Sequence, residues 1–149
     1  MKVKYSAHIG TGTSDYGKMP LLHVRLKRGK KIVDLDCLVD SGAGICLFNK
    51  EIAHKLGIDL RKSYTVDCEA VGGSVLKAKI STVHLQVAGF DDEWLEITGG
   101  FISEDETPLL GHLDFFDKFE ITFRSYRNEF EIKRKNSNAA LKIKRSVFL

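Results

Sequence analysis

Leu38-Val39-Asp40-Ser41-Gly42-Ala43 places an acid at the point where an apolar strand pattern ends. Apolar residues alternate from Val33 to Val39, which is the pattern of a strand with one buried face. The hydroxyl of Ser41 can hydrogen-bond to the main chain and hold the loop, and Gly42 permits a close approach that a side chain would block. The stretch therefore predicts a rigid, partly desolvated carboxylate at Asp40 that is open to a ligand.

A second apolar segment lies further along the chain, within Pro108–Phe116. By itself, an Asp-Ser-Gly match is more typical of a strand-to-turn junction in which the acid caps the turn. Together with Leu109-Leu110-Gly111, however, the first motif resembles the retroviral-type aspartic peptidases, the retropepsin-like family. Those proteins carry an apolar-Asp-(Ser/Thr)-Gly-Ala loop and, some tens of residues later, an apolar-apolar-Gly segment that leads into a short helix. The resemblance covers roughly residues 20–133.

The composition predicts one globular domain, since the 149 residues are 43% hydrophobic and 29% charged. The three cysteines are odd in number and lack a CxxC spacing, so neither a disulfide framework nor a zinc cluster is expected. No apolar run approaches the length of a membrane span, and the start of the chain lacks the apolar stretch of a signal peptide. We expect a cytoplasmic protein with no membrane partner, no metal and no cofactor.

Two clusters of basic residues bear on a possible nucleic-acid partner. One surrounds Gly29, in a predicted hairpin turn, and the other lies at positions 133–145 of the tail. The net charge is only +3, and aromatic residues are not interleaved with the basic ones as a stacking surface for bases would need. We interpret both clusters as solvated surface and do not expect nucleic acid as a partner.

The periodicity of the chain predicts a mainly β protein with one or two short helices. Leu22–Leu26 and Val33–Val39 form a hairpin whose second strand leads to Asp40. Asn49–Gly57 is a short helix, with Asn49 as N-cap and Gly57 as its stop. Farther on, Trp94–Thr98 is a strand and Asp114–Phe119 a single helical turn. Further strands are predicted at Val3–Ile9, in a hairpin from Phe119 to Ile132, and around Leu141, Ile143 and Val147.

A second hairpin follows the helix. Its strand Tyr64–Ala70 turns at Val71-Gly72-Gly73-Ser74, and the apolar positions of the returning strand change from even to odd between Ile80 and Val83. Such a phase switch predicts a bulge or bend that exchanges the faces of the strand. The resemblance implies that this hairpin is the flap that folds over a bound peptide. An ordinary long hairpin is the alternative.

The resemblance also implies a closed β-barrel that acts as a homodimer and cleaves extended polypeptides. Hydrolysis without a covalent intermediate needs two carboxylates that share one proton, and this chain encodes a single Asp-Ser-Gly. Asp40 of each subunit would therefore form the dyad, while Ser41 braces the two loops across the axis and Gly42 lets them approach. The retroviral members place an arginine and an acid where this chain has His112 and Gly44, so their interface ion pair is absent.

These patterns divide the chain into an N-terminal strand and loop extension at 1–19, the peptidase-like domain at 20–135, and a basic tail at 136–149. One alternative keeps the fold without the chemistry, as a catalytically silent dimeric peptide-binding or scaffolding module. A solitary sandwich or barrel with an incidental Asp-Ser-Gly is a third interpretation. The retention of Asp40, Ser41 and Gly42 together favours the enzyme, because a scaffold needs no desolvated acid there.

Overall fold

The computed structural model describes residues 1–7 and 17–136. The described part is mainly β, as predicted. Its strands are β1 (Lys2–Lys4), β2 (Ser6–Ala7), β3 (Lys18–Met19), β4 (Leu21–Arg28), β5 (Lys31–Val39), β6 (Cys46–Asn49), β7 (Thr65–Glu69), β8 (Val75–Val87), β9 (Leu95–Ile102), β10 (Leu109–Leu110), β11 (Phe119–Arg124) and β12 (Glu129–Arg134). The helix α1 spans Lys50–Lys55, and shorter helical turns lie at Leu60–Lys62, His112–Phe116 and Ser125–Arg127.

One seven-stranded sheet carries most of the structure, in the order β4-β5-β10-β6-β9-β8-β7. Strand β8 also pairs with β4, through residues 84–87 of β8 and 24–27 of β4. A separate three-stranded sheet has the order β1-β12-β11, and β2 pairs with β3. Within the described part, no helix is long and apolar enough to cross a membrane.

The predicted first hairpin is confirmed as β4 and β5, which pair in antiparallel register from Leu21 opposite Leu38 to Arg28 opposite Lys31. The apolar side chains of Leu22, Val24 and Leu26 on β4 are buried in the main core. Cys37 and Val39 on β5 are buried in the same cluster. The hairpin therefore anchors the residue before Asp40 in the core.

The predicted helix is confirmed as α1. The side chain of Asn49 accepts a hydrogen bond from the backbone N–H of Ile52 at 3.1 Å, which caps the first turn. Ile52 and Leu56 are buried and pin the helix to the sheet, while His54 is exposed.

The phase switch in β8 has a different cause from the predicted bulge. From Lys79 to Leu85, β8 pairs with β9 in one unbroken antiparallel register, so no residue is inserted. Instead, the two faces of the strand contact two different hydrophobic clusters. Val83, Leu85 and Val87 pack in the main core, whereas Leu76 and Ala78 pack in a smaller cluster on the other face. The predicted bulge is therefore absent, because burial moves from one face of the sheet to the other while the pairing stays regular, and the alternative bend stays a prediction.

The helical turn predicted at Asp114–Phe119 is also corrected. The turn lies at His112–Phe116, it is kinked by non-helical residues at its centre, and Phe119 already belongs to β11. Asp114 has a φ of 69°, and its carboxylate accepts a hydrogen bond from the backbone N–H of Thr98 at 2.7 Å. The positive φ of Asp114 interrupts the regular helical pattern, and Phe115 of this turn is buried.

The hairpin predicted between Phe119 and Ile132 is confirmed as β11 and β12. The predicted strand Val3–Ile9 is present in its described part as β1 and β2, and β1 pairs with β12 of the same chain. Phe130 and Ile132 of β12 are fully buried. Residues 8 and 9, and the strand predicted around Leu141, Ile143 and Val147, lie outside the described residues.

Candidate active site

The two sequence motifs meet in the sheet. Strand β10 runs parallel to the end of β5, with Leu109 opposite Leu38 and Leu110 opposite Val39. The backbone N–H of Asp40 then donates to the carbonyl of Leu110 at 3.0 Å. The backbone around Asp40 is therefore fixed by the second motif.

The carboxylate of Asp40 is oriented by its own loop. The backbone N–H of Gly42 donates to Asp40 Oδ1 at 2.8 Å, and the N–H of Ala43 donates to the Asp40 carbonyl at 3.2 Å. Asp40 is half-buried. Its Oδ2 makes no hydrogen bond to any residue within 1–7 or 17–136. One carboxylate oxygen is thus held in place, and the other is available to water or a ligand.

Gly111 lies where no side chain fits. A Cβ atom built there would be 2.5 Å from the carbonyl oxygen of Ile45 and 2.7 Å from that of Ala43. The N–H of Gly111 donates to Cys46 Sγ at 3.5 Å, which gives this buried donor a partner. Gly111 therefore lets the second motif pack directly on the backbone of the acid loop.

His112 contacts the acid loop through both its backbone and its side chain. Its backbone N–H donates to the Ala43 carbonyl at 2.9 Å, and its ring Nε2 lies 2.7 Å from the Ser41 carbonyl oxygen. The imidazole stacks on the ring of Phe116, with centroids 5.0 Å apart and an interplanar angle of 26°. From the sequence, His112 was only a departure from the retroviral pattern, and its contact with the loop was not predicted.

A cleft of about 610 Å³ opens beside Asp40. Of the residues predicted for the site, those that line the cleft are Asp40, Gly42, Ala43, Val71, Ser74 and Leu109. The other predicted residues, which do not line it, are Ser41, Gly72, Gly73, Leu110 and Gly111. The acid loop, the β7–β8 hairpin and the segment before β10 thus form three sides of one groove.

The β7–β8 hairpin forms one wall of this cleft. At its tip the N–H of Ala70 donates to the Ser74 carbonyl at 2.7 Å, and that of Gly73 to the Ala70 carbonyl at 3.1 Å. Gly72 and Gly73 have φ angles of 91° and 82°, which L-residues with side chains rarely adopt. Val71 at the tip is fully exposed.

Among the described residues, the charged side chains that line the cleft are those of three acids, Asp40, Glu69 and Glu106. Glu69 ends strand β7, and Glu106 lies on the segment between β9 and β10. No lysine, arginine or histidine of the described chain lines the cleft with them. The cleft is therefore an acidic groove.

The thiols near the site are not suited to act as nucleophiles. Burial raises the pKa of Cys46 to about 11, and burial also raises the pKa values of Cys37 and Cys68. A thiol with a raised pKa stays protonated at neutral pH and is a poor nucleophile. In the described ranges, no group of three or more His, Cys, Asp or Glu side chains could hold a metal ion. The chemistry that the arrangement offers is that of a positioned carboxylate.

Comparisons with known proteins agree with the geometry. The sequence model of the aspartyl protease family matches residues 23–111, which is more than half of the chain. Among solved structures, a retropepsin-like aspartic protease from Rickettsia conorii is similar, with a TM-score of 0.58, 20% identity, and coverage of 89% of this chain and 98% of that chain. EIAV protease in complex with the inhibitor HBY-793 gives a TM-score of 0.52 and 19% identity, covering 68% of this chain and 88% of the other. No curated protein matches the sequence. The resemblance expected from the two motifs is confirmed.

Replacing Gly111 with alanine should destabilise the protein by about 1–3 kcal/mol or more, because the new Cβ would overlap backbone oxygens that cannot rotate away. Gly44→Ala is the matched control, since a Cβ at Gly44 meets nothing within 4 Å. The free energy of unfolding from urea titration measures both effects. Equal stability of the two variants would contradict the close packing described at Gly111.

Proposed function

Because the chain belongs to the aspartyl protease family, we propose that it is a homodimeric aspartic endopeptidase that hydrolyses peptide bonds of extended polypeptides. The observation that carries this proposal is the carboxylate of Asp40, which has one oxygen bound to the Gly42 N–H and lies in an open cleft. A carboxylate fixed in this way can exchange protons with a substrate without first reorganising.

The reaction needs a second carboxylate, and the proposal takes it from Asp40 of a second copy of the chain. Two carboxylates about 3 Å apart cannot both ionise, so the pair shares one proton. The ionised carboxylate accepts a proton from a water molecule while the oxygen of that water bonds to the peptide carbonyl carbon. The protonated carboxyl donates its proton to the carbonyl oxygen. The carbon now carries two hydroxyl groups. The carboxyl that took the proton from water then gives it to the peptide nitrogen as the carbon–nitrogen bond breaks, and one of the two hydroxyl groups gives a proton to the other carboxylate, so the pair returns to its starting state.

The neighbours of Asp40 have supporting roles in the proposal. Ser41 is exposed, which suits a residue that braces the two loops across the dimer axis, and Gly42 leaves room for the loops to approach each other. Leu109, Leu110 and Gly111 support the loop from behind. The pairing of β8 with both β9 and β4 favours a body that closes into a barrel.

The β7–β8 hairpin is proposed to act as a flap. It lines the cleft through Glu69, Val71 and Ser74, and the positive φ angles at its tip belong to two adjacent glycines. An extended peptide between this hairpin and the body could pair with backbone groups and place alternate side chains in the cleft. Opening of the hairpin would admit the polypeptide.

Asp40→Asn should lower the rate of cleavage of a denatured protein by at least about 10²-fold, because the amide cannot share the proton of the dyad. The fold should be retained, since the amide oxygen can still accept from the Gly42 N–H. Cleavage is measured with purified protein from acid to neutral pH, and circular dichroism checks the fold. An undiminished rate would exclude the aspartic mechanism. Peptide binding without cleavage by the wild type would favour the silent binding module.

Mixing wild-type chains with Asp40→Asn chains tests whether two copies share one site. If the two are unfolded together and refolded at equal amounts, about one quarter of the dimers carry two wild-type loops, so activity should fall to about half that of the wild type alone. A tenfold excess of the variant should leave about a tenth. Activity that stays constant as the variant is added would show that each chain works alone.

The acidic lining of the cleft predicts a preference for substrates with basic side chains. Glu69→Lys should weaken the kcat/KM for a lysine-containing peptide by about three- to tenfold relative to its glutamate-containing counterpart, because attraction becomes repulsion at the hairpin. Glu120→Lys on β11 is the matched control, since Glu120 is exposed and does not line the cleft. Identical selectivity in both variants would show that the hairpin does not contact the substrate.

A further inference from the structure

We propose that His112 is a positioning residue that holds the loop carrying Asp40. The effect of His112 on catalysis rests on the proposed peptidase function, whereas its effect on the loop can be measured even in a protein that cleaves nothing. His112 follows the glycine of the second motif and reaches back to the first motif.

The ring contact defines which nitrogen carries the proton. Nε2 of His112 lies 2.7 Å from the carbonyl oxygen of Ser41. A carbonyl oxygen can only accept a hydrogen bond, so Nε2 must be the donor. Neutral imidazole with its proton on Nε2 and doubly protonated imidazole both satisfy this requirement. The hydrogen bond therefore requires only that Nε2 carries a proton, and it forms whether the ring is neutral or charged.

The imidazole is itself held in place. One face stacks on Phe116, and the backbone N–H of His112 donates to the Ala43 carbonyl at 2.9 Å. His112 thereby binds the carbonyls on both sides of Gly42, the residue whose N–H orients Asp40 Oδ1. A shift of the loop would change that bond directly.

Few side chains from other parts of the described chain hold the acid loop in place. Ser41, Gly42 and Gly44 are exposed. Among the described residues, the His112 ring makes the side-chain hydrogen bond that reaches residues 41–44 from another part of the chain. The remaining bonds of the loop join backbone groups or run from Gly42 to Asp40. Loss of the imidazole would therefore leave the Ser41 carbonyl to water and allow the loop to move.

Three variants of the full chain test this role. His112→Leu removes the donor and keeps an apolar side chain beside Phe116, whereas His112→Gln places an amide N–H where Nε2 lies. His54→Leu is the matched control, because His54 is exposed on α1 and its ring makes no hydrogen bond within the described residues. The measurements are kcat and KM on a peptide that the wild type cleaves, and hydrogen exchange of the Gly42 amide.

For His112→Leu, we expect kcat to fall about ten- to a hundredfold with KM changed by less than about threefold, because the reacting group is displaced while the groove remains. The Gly42 amide should exchange faster. His112→Gln should restore both values to near those of the wild type, and His54→Leu should change neither. A His112→Leu variant with wild-type kcat and exchange, or a His112→Gln variant as impaired as His112→Leu, would overturn the proposal.

Two further measurements separate the possible failures. If His112→Leu does not fold, nitrogen NMR shifts of the His112 ring in the wild type decide: a proton on Nε2 supports the proposal, and its absence there at neutral pH overturns it. If the wild type cleaves no peptide, the proposed peptidase function fails, while the exchange of Gly42 in the variants still decides whether His112 holds the loop.

Discussion

The parallel pairing of β10 with the end of β5 is the constraint on which the site depends. Leu109 and Leu110 pair with Leu38 and Val39, and the carbonyl of Leu110 accepts a hydrogen bond from the N–H of Asp40. The pairing requires the backbone to pass very close to the acid loop, which only Gly111 allows. Without the pairing of β10 with β5, the buried backbone polar groups at the end of β5 would lack partners, at a cost of about 1–3 kcal/mol each. The two motifs, about 70 residues apart in sequence, thus form one structural unit.

The parts of the fold that local patterns determine were predictable. The alternation in β4 and β5 and the cap at Asn49 depend on neighbours in sequence, and both are present in the structure. The phase switch in β8 correctly indicates a change of buried face, whereas the bulge that was one of its two predicted causes is absent. Periodicity reports only which side chains avoid water, and it cannot distinguish an inserted residue from a sheet that has a second hydrophobic cluster on its other face. That second cluster includes Leu47 and Ile102, which are distant in sequence from β8.

The candidate site was predictable to the same extent. Asp40 and Gly111 could be predicted because each belongs to a short motif that the sequence alone shows. The contacts of His112 and Cys46 were not predicted, because each joins residues more than 60 positions apart along the chain. Strand β9 also runs beyond its predicted end through Gly99 and Gly100, two residues that normally break a strand pattern. The close packing favours glycine here, because a Cβ would lie 2.8 Å from Leu47 Cδ2 at Gly100 and 3.2 Å from the ring of Phe48 at Gly99.

The contacts that hold the Asp40 loop within a single chain bear on the proposed chemistry. Within one chain, the backbone N–H of Asp40 donates to β10, and the Asp40 carboxylate accepts from the N–H of Gly42. The carbonyls of Ser41 and Ala43 accept hydrogen bonds from His112. A single chain can therefore hold the carboxylate in place, whereas under the proposed function the shared proton would require the carboxylate of a second chain. Under the proposed function, the association of two chains would bring together two loops that are already ordered, so little conformational entropy remains to be lost at the dyad.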